Sequence, residues 1–282
     1  MGTIRRVRFR LFISDEDINT VPSPAQLCAA PDGEATSLER LLNIAQMANK
    51  YCIASYEAWA LERILLLAQN PNGFLRQASP ETCARVLSIA ILCNHRDLVH
   101  LITQKLIARM LWSDMNRQPI LQVATRFGLT TLQGVVQYRE LVDLERSQLD
   151  HQKHPGLAFL SSIPHEEQRL RLFSAYHSIL NLWDRIRLTP PSFVAEDHTC
   201  STHSECITTW SKLWVTAASS EQTSKHGVVD ILGRLKSVMI QVKKAMMESG
   251  TGMSLGCTLS ALESITSVRD DIVAGLMGHF QR

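Results

Sequence analysis

From Leu38 onward, apolar residues recur at steps of three and four, which puts them on one face of an α-helix. Leu41, Leu42, Ala45, Ala48 and Cys52 mark a first stripe; Tyr56, Trp59, Ala60, Ile64 and Leu67 mark a second. "NPNGF" stops the second helix, because Asn and Gly accept positive φ and Pro cannot continue the ladder. "SPE" opens a third: Ser79 caps free amides, Pro80 fits the first turn and Glu81 complements the dipole. Cys83, Val86, Leu87 and Ala90 form its buried face, and "NHRD" breaks it. Leu98, Ile102, Leu106 and Met110 carry a fourth helix. A fifth is expected from about Pro119 to Phe127, ended by Gly128, and a sixth from about Thr131 into "ELVDLERSQ".

The turns between these helices repeat. Ala48, Tyr51, Cys52, Ile53 and Tyr56 match Ala124, Phe127, Gly128, Leu129 and Leu132 step for step. Ala90, Cys93, Asn94, His95 and Leu98 follow more loosely, with His95 in the aliphatic slot. The alanines are 42 and 34 residues apart, a helix-pair spacing of solenoid-like arrays. A small residue permits a tight inter-helix turn, and the aliphatic residue after it plugs the gap. Antiparallel pairs can also converge on such a corner without common descent.

The polar stretch "SQLDHQKHPG" separates this array from the rest, and "SSIPHEEQ" opens a long helix with a bulky stripe of Phe173, Tyr176, Leu180 and Trp183. "LTPP" ends it, since consecutive prolines forbid continuation. Two further long helices are expected over roughly 222–248 and 257–280, split by "ESGTGMS". Val229, Leu232, Leu235, Met239 and Val242 face inward on the first; Leu262, Ile265, Val268, Ile272 and Leu276 on the second. No β pattern appears after residue 37. The expected fold is all-α: an irregular segment 1–37, a hairpin 38–70, stacked antiparallel helix pairs 71–150 and a carboxy-terminal helical subdomain 151–282.

Composition adds limits. At 282 residues the chain can bury a core without staples, as one large or two medium domains. The formal net charge of +2 gives no global argument for nucleic acid or an anionic membrane. No apolar run approaches the roughly 20 residues needed to span a bilayer. Seven cysteines, an odd number, mostly inside helical patterns and without a secretory signal, read as reduced thiols of the cytoplasm or nucleus. The basic start "MGTIRRVRFRLF" lacks the serines of a transit peptide, meets acids at Asp15, and fails the myristoylation pattern at Arg6. Its alternation of Val7, Phe9 and Leu11 suggests a short strand or a ragged end.

"LLNIAQMANKYCIASYEAWALERIL" resembles the carboxy-terminal hairpin of a BTB/POZ domain, an apolar helix ending in Ala-x-Lys-Tyr, an aliphatic residue, then a second helix. "CSTHSECITTWSKLW", "DILGRLKSVM" and "CTLSALESI…IVAGLMGHF" resemble the tails of a large fungal family of BTB-domain-containing proteins. The resemblance runs from about Leu38 to the end. It implies adaptor or scaffold work, in transcription or with cullin-type ubiquitin ligases, protein partners, and a homodimer. The strand–helix region that opens a BTB domain has no counterpart in residues 1–37. The expectation is a truncated or divergent relative, or a misplaced start, so the BTB-type dimer is in question.

"HTCSTHSEC" carries the one candidate chemistry. Cys200, His203 and Cys206 stand at steps of three and Cys257 opens the last helix; thiolates and imidazole are the donors Zn²⁺ prefers. His198 is a rival fourth ligand, and a turn is needed between Cys200 and Cys206. The plainer alternative is packing, since Cys206, Trp210 and Trp214 share one stripe; a loose redox pair is a third. No nucleophile signature surrounds Cys206 and His203, and "DILGRLK" is not a phosphate loop, so no catalysis is expected. His95, His100 and His177 read as partly buried structural histidines, and Trp59, Trp183, Trp210 and Trp214 as core anchors. "QVKKAMMES" reads as a solvated face. The leading expectation is a non-catalytic interaction protein whose partners dock between helices, with no cofactor beyond a structural zinc. The alternatives are a zinc-stabilised regulatory or nucleic-acid-associated protein and a small-molecule-binding helical protein.

Overall fold

Serines set four of the helix starts. Ser37, Ser79, Ser220 and Ser254 each accept a hydrogen bond from the backbone N–H three residues on, at 3.4, 3.1, 3.2 and 3.3 Å. The computed structural model describes residues 37–70, 73–149, 165–194, 200–249 and 252–281. These residues form α-helices and one 3-10 turn, with no strand among them. The short strand expected near Val7 lies outside them.

Two compact units divide the chain, Met1–Lys105 and Leu106–Arg282. The boundary falls inside a helix, not at the polar breaks near residues 70 and 150. The first unit holds α1 (Leu38–Tyr51), α2 (Ala54–Gln69), a 3-10 turn (Phe74–Arg76), α3 (Pro80–Leu92) and most of α4 (Arg96–Trp112). Helices α1 and α2 pack as a hairpin, and α3 lies against α1. Leu41, Leu42, Ala45 and Ala48 of α1 are buried, as are Cys83, Val86, Leu87 and Ala90 of α3. On α2 the buried positions are Ala60, Leu61, Ile64 and Ala68, while Leu67 is exposed. Its inner stripe is therefore narrower and smaller than the aromatic-rich stripe expected.

The repeated corners share one hydrogen-bond pattern. The amides of Ile53, His95 and Leu129 donate back five residues to the carbonyls of Ala48, Ala90 and Ala124, at 2.9, 2.9 and 2.8 Å. The preceding residues Cys52, Asn94 and Gly128 donate to Asn49, Ile91 and Thr125. They sit in the left-handed region at φ 58, 54 and 68. These are three Schellman caps. In each, the closing residue also starts the next helix, accepting from the amide four residues later (Glu57, Val99, Gln133). The three alanines at these corners are buried. His95 adds a cap of its own, Nδ1 accepting from the Leu98 amide at 3.2 Å.

The second unit contains the end of α4, α5 (Gln118–Phe127), α6 (Thr130–Leu149), α7 (Glu166–Leu188), α8 (His203–Ala218), α9 (Glu221–Ser224), α10 (Ile231–Ser249) and α11 (Leu255–Phe280). Helix α6 is enclosed: Leu132, Val135, Val136, Tyr138, Leu141 and Val142 are all buried. It packs along α11, and Gly134 lets the backbones meet, since a Cβ there would lie 2.5 Å from the Met277 amide nitrogen. Helix α10 packs against α8, α9 and α11.

Two expectations are corrected here. The helix expected over 222–248 is broken into α9 and α10 around Gly227. Glu145 of α6 accepts from the amides of Val228 (2.8 Å) and Val229 (3.2 Å), and Tyr138 Oη donates to Asp230 Oδ1 at 3.0 Å. The two bonds to Glu145 take amides that a continuous helix would need. On α7 the buried face is Leu172, Ala175, Ile179 and Trp183, with Phe173 exposed, so the stripe is rotated from the aromatic one expected. Phe173 instead meets the edge of the exposed His177 at 4.6 Å.

Candidate metal centre

Three chain segments bring the sulfur and imidazole groups together. Cys200 lies in the turn before α8, His203 is the first residue of that helix, and Cys206 sits one turn in. Cys257 occupies the first turn of α11, whose start is fixed by Ser254. Helices α8 and α11 are in contact, so two helix amino termini meet here. Both dipoles favour negative charge, which suits thiolates.

Cys200, His203 and Cys257 form a set whose donor atoms all lie within 4.8 Å of one another. His203 Nδ1 is 3.4 Å from Cys257 Sγ. Cys206 stands at the edge of that set, its Sγ 3.8 Å from Cys200 Sγ. A tetrahedral Zn²⁺ with Zn–S near 2.3 Å and Zn–N near 2.1 Å has edges of about 3.8 Å between sulfurs and about 3.6 Å between sulfur and nitrogen. The Cys200–Cys206 and His203–Cys257 separations are close to those edges.

Two thiols of this cluster have shifted acidity, in opposite directions and for different reasons. The hydroxyl of Ser254, with the Thr202 amide, pulls the Cys200 thiol down to about 7. Burial pushes Cys257 up, against the Ser254 hydroxyl. An approaching cation thus meets one thiol already inclined to ionise and one that needs the cation to do so.

The surroundings hold the ligands still. The Phe193 ring stands edge-on to His203 at 5.4 Å and to Trp210 at 6.2 Å. Trp210 Nε1 donates to the Pro191 carbonyl and Trp214 Nε1 to that of Ile186, both at 2.9 Å. Ser260 Oγ donates to the Val194 carbonyl at 2.8 Å. The segment following α7 is therefore strapped across α8 and α11.

The structure gathers the four expected ligand residues, three of them as a mutually close set. His198 lies outside the described residues. The packing alternative and the ligand reading coexist: Cys206, Trp210 and Trp214 are all buried on one stripe, and the Cys206 thiol still faces Cys200. Trp183 is also buried, whereas Trp59 is only partly so. His100 and His177 are exposed rather than partly buried. Sequence reasoning missed Ser254, although its place three residues before Cys257 is a cap spacing. It also missed Phe193, which no local pattern marks.

No protein-family model, curated protein or solved structure matches this chain. No described helix is long and apolar enough to cross a membrane.

Proposed function

We propose that this chain is a non-catalytic helical scaffold for protein partners, with its carboxy-terminal unit locked by a structural zinc ion on Cys200, His203, Cys206 and Cys257. The convergence of donors from a turn and two helix starts, with Cys200–Cys206 and His203–Cys257 near tetrahedral edge distances, carries the zinc part of the reading. Four protein donors would fill the tetrahedron and leave no position for a reacting water, as in closed structural sites. The mutually close set among the described residues holds sulfur and nitrogen donors, the donor types of closed structural zinc sites. The scaffold part is supported by the resemblance of the α1–α2 hairpin to the end of a BTB domain, and by grooves between helices of the kind that take up partner segments. The same resemblance favours cytoplasm or nucleus.

Metal analysis of the purified chain tests the zinc lock. Equimolar zinc is expected, lost in Cys200→Ser and Cys257→Ser. Cobalt exchanged into the site should show the intense near-ultraviolet bands of thiolate ligation. Metal-free protein whose melting ignores a chelator removes the lock.

A further inference from the structure

Within the Leu106–Arg282 unit, a groove of about 1090 Å³ runs over α10, walled by the end of α4 and by α6, α8 and α9. Six cationic side chains line it: Arg139, Arg146, Lys212, Lys225, Lys236 and Lys244. The acids in the same lining are Asp114, Asp230 and Glu248. Asp230 is held by the Tyr138 hydroxyl and the Gly233 amide, and Glu248 lies 3.9 Å from Lys244. Arg146, Lys212 and Lys225 pair with no carboxylate among the described residues.

At the floor, Arg139 is only 5% exposed, with Nη2 on Asp143 Oδ1 at 2.9 Å and Nε without any hydrogen-bond partner. Buried guanidinium nitrogens are rarely left so, and an acceptor brought by a ligand would complete this one. Beside the cations lies an apolar strip. Trp112 and Ile240 are 47% and 54% exposed, and Lys236 Nζ stands 4.3 Å over the Trp112 ring.

Cations flanking exposed apolar surface match a ligand with carboxylates beside aliphatic side chains. A nucleic-acid strand fits less well, because Trp112 is the one Trp, Tyr or Phe side chain in the lining on which successive bases could stack. We propose that this groove binds an acidic amphipathic peptide segment of a partner protein, its carboxylates on Arg146, Lys212 and Lys225 and its apolar face on Trp112 and Ile240. The proposal gives a chemistry to the scaffold reading and rests on it for the partner being a protein; it does not depend on zinc.

Fluorescence anisotropy on the full chain tests it. The probe is a fluorescein-labelled peptide of about twelve residues, roughly three helical turns, with glutamates on one face and leucines on the other. Saturable binding is expected, weakened as salt rises from about 50 to 200 mM, because the contacts lie at the surface. The double variant Lys212→Glu/Lys225→Glu, both exposed positions, should keep its helicity and bind at least about tenfold more weakly. Arg63→Glu, on α2 and outside the groove, should bind like the parent. Absence of saturable binding overturns the proposal, as does equal binding of the glutamine-for-glutamate peptide or unchanged affinity in the double variant. So does tighter binding of a single-stranded RNA of similar length. Any of these in protein that retains its zinc removes the groove alone and leaves the metal lock standing.

Discussion

The left-handed residues at the three corners are a matched set. Cys52 and Asn94 are the non-glycine residues at positive φ among those described, and Gly128 is their counterpart. An L side chain in that region crowds the following carbonyl, by about 1 kcal/mol or more for Cys and less for Asn, which bonds locally. Cys52→Gly should therefore stabilise by about 0.5–1 kcal/mol, Asn94→Gly by close to nothing, and Gly128→Ala should cost about 1 kcal/mol. Nothing lies within 4 Å of a Cβ at Gly128, so that cost is purely conformational. Urea titrations of the three variants check the order. Glu145 couples stability to pH. Burial raises its carboxyl above the usual 4.5, against the pull of the Val229 and Val228 amides. The folded chain then holds this proton to higher pH than the unfolded one, so this group's share of stability falls as pH rises from 4.5 through the raised value. Melting temperature followed across that window should show the decline, and Glu145→Gln should flatten it; an unchanged slope in the variant would place the titration elsewhere.

Among elements, α6 and α11 approach closely at Gly134. At Gly134 a Cβ would meet the Met277 backbone at 2.5 Å and Leu276 Cβ at 3.1 Å, and a backbone cannot turn aside as a side chain can. Gly134→Ala should thus cost about 2–4 kcal/mol by forcing two long helices apart, read as a lower urea midpoint. Gly256, with open space around it, is the comparison: its alanine variant should be neutral or slightly stabilising through helix propensity. These two glycines look alike in the sequence, because a close approach between distant helices leaves no local mark. What was legible had local causes: the Ser79-Pro80 start, the Ala-to-Ile, Ala-to-His and Ala-to-Leu corners, and the inward faces of α1 and α3. The break at Gly227 was not legible, since it depends on a carboxylate 82 residues earlier in the chain. The rotation of α7 escaped for a related reason: aromatic bulk at Phe173 suggested an inner face, but Ala175 and Ile179 are the residues buried against the neighbouring helices. Likewise Cys200, His203 and Cys206 were visible by spacing, while the fit of Cys257 to them depends on α11 folding back onto α8.

For the whole chain, the division into two units gives the metal reading a spatial signature. All four proposed ligands belong to Leu106–Arg282, and that unit has a hydrophobic core of its own, including Trp210, Trp214, Leu132 and Val135. Zinc loss should therefore loosen it without unfolding it, unlike a zinc finger, whose small core cannot stand alone. Zinc at about a hundredfold above its Kd contributes about 2.7 kcal/mol. In a unit of this size that corresponds to a fall in Tm of about 5–11 °C on chelation. Far-ultraviolet circular dichroism should barely change. Amide exchange should accelerate at the start of α8, the start of α11 and the segment strapped over them by Trp210 and Ser260, while α1–α3 keep their protection. If exchange instead accelerates evenly through both units, or the chelator leaves the starts of α8 and α11 as protected as before, the thiols and imidazole are packing groups and the second unit holds together by its hydrophobic core alone.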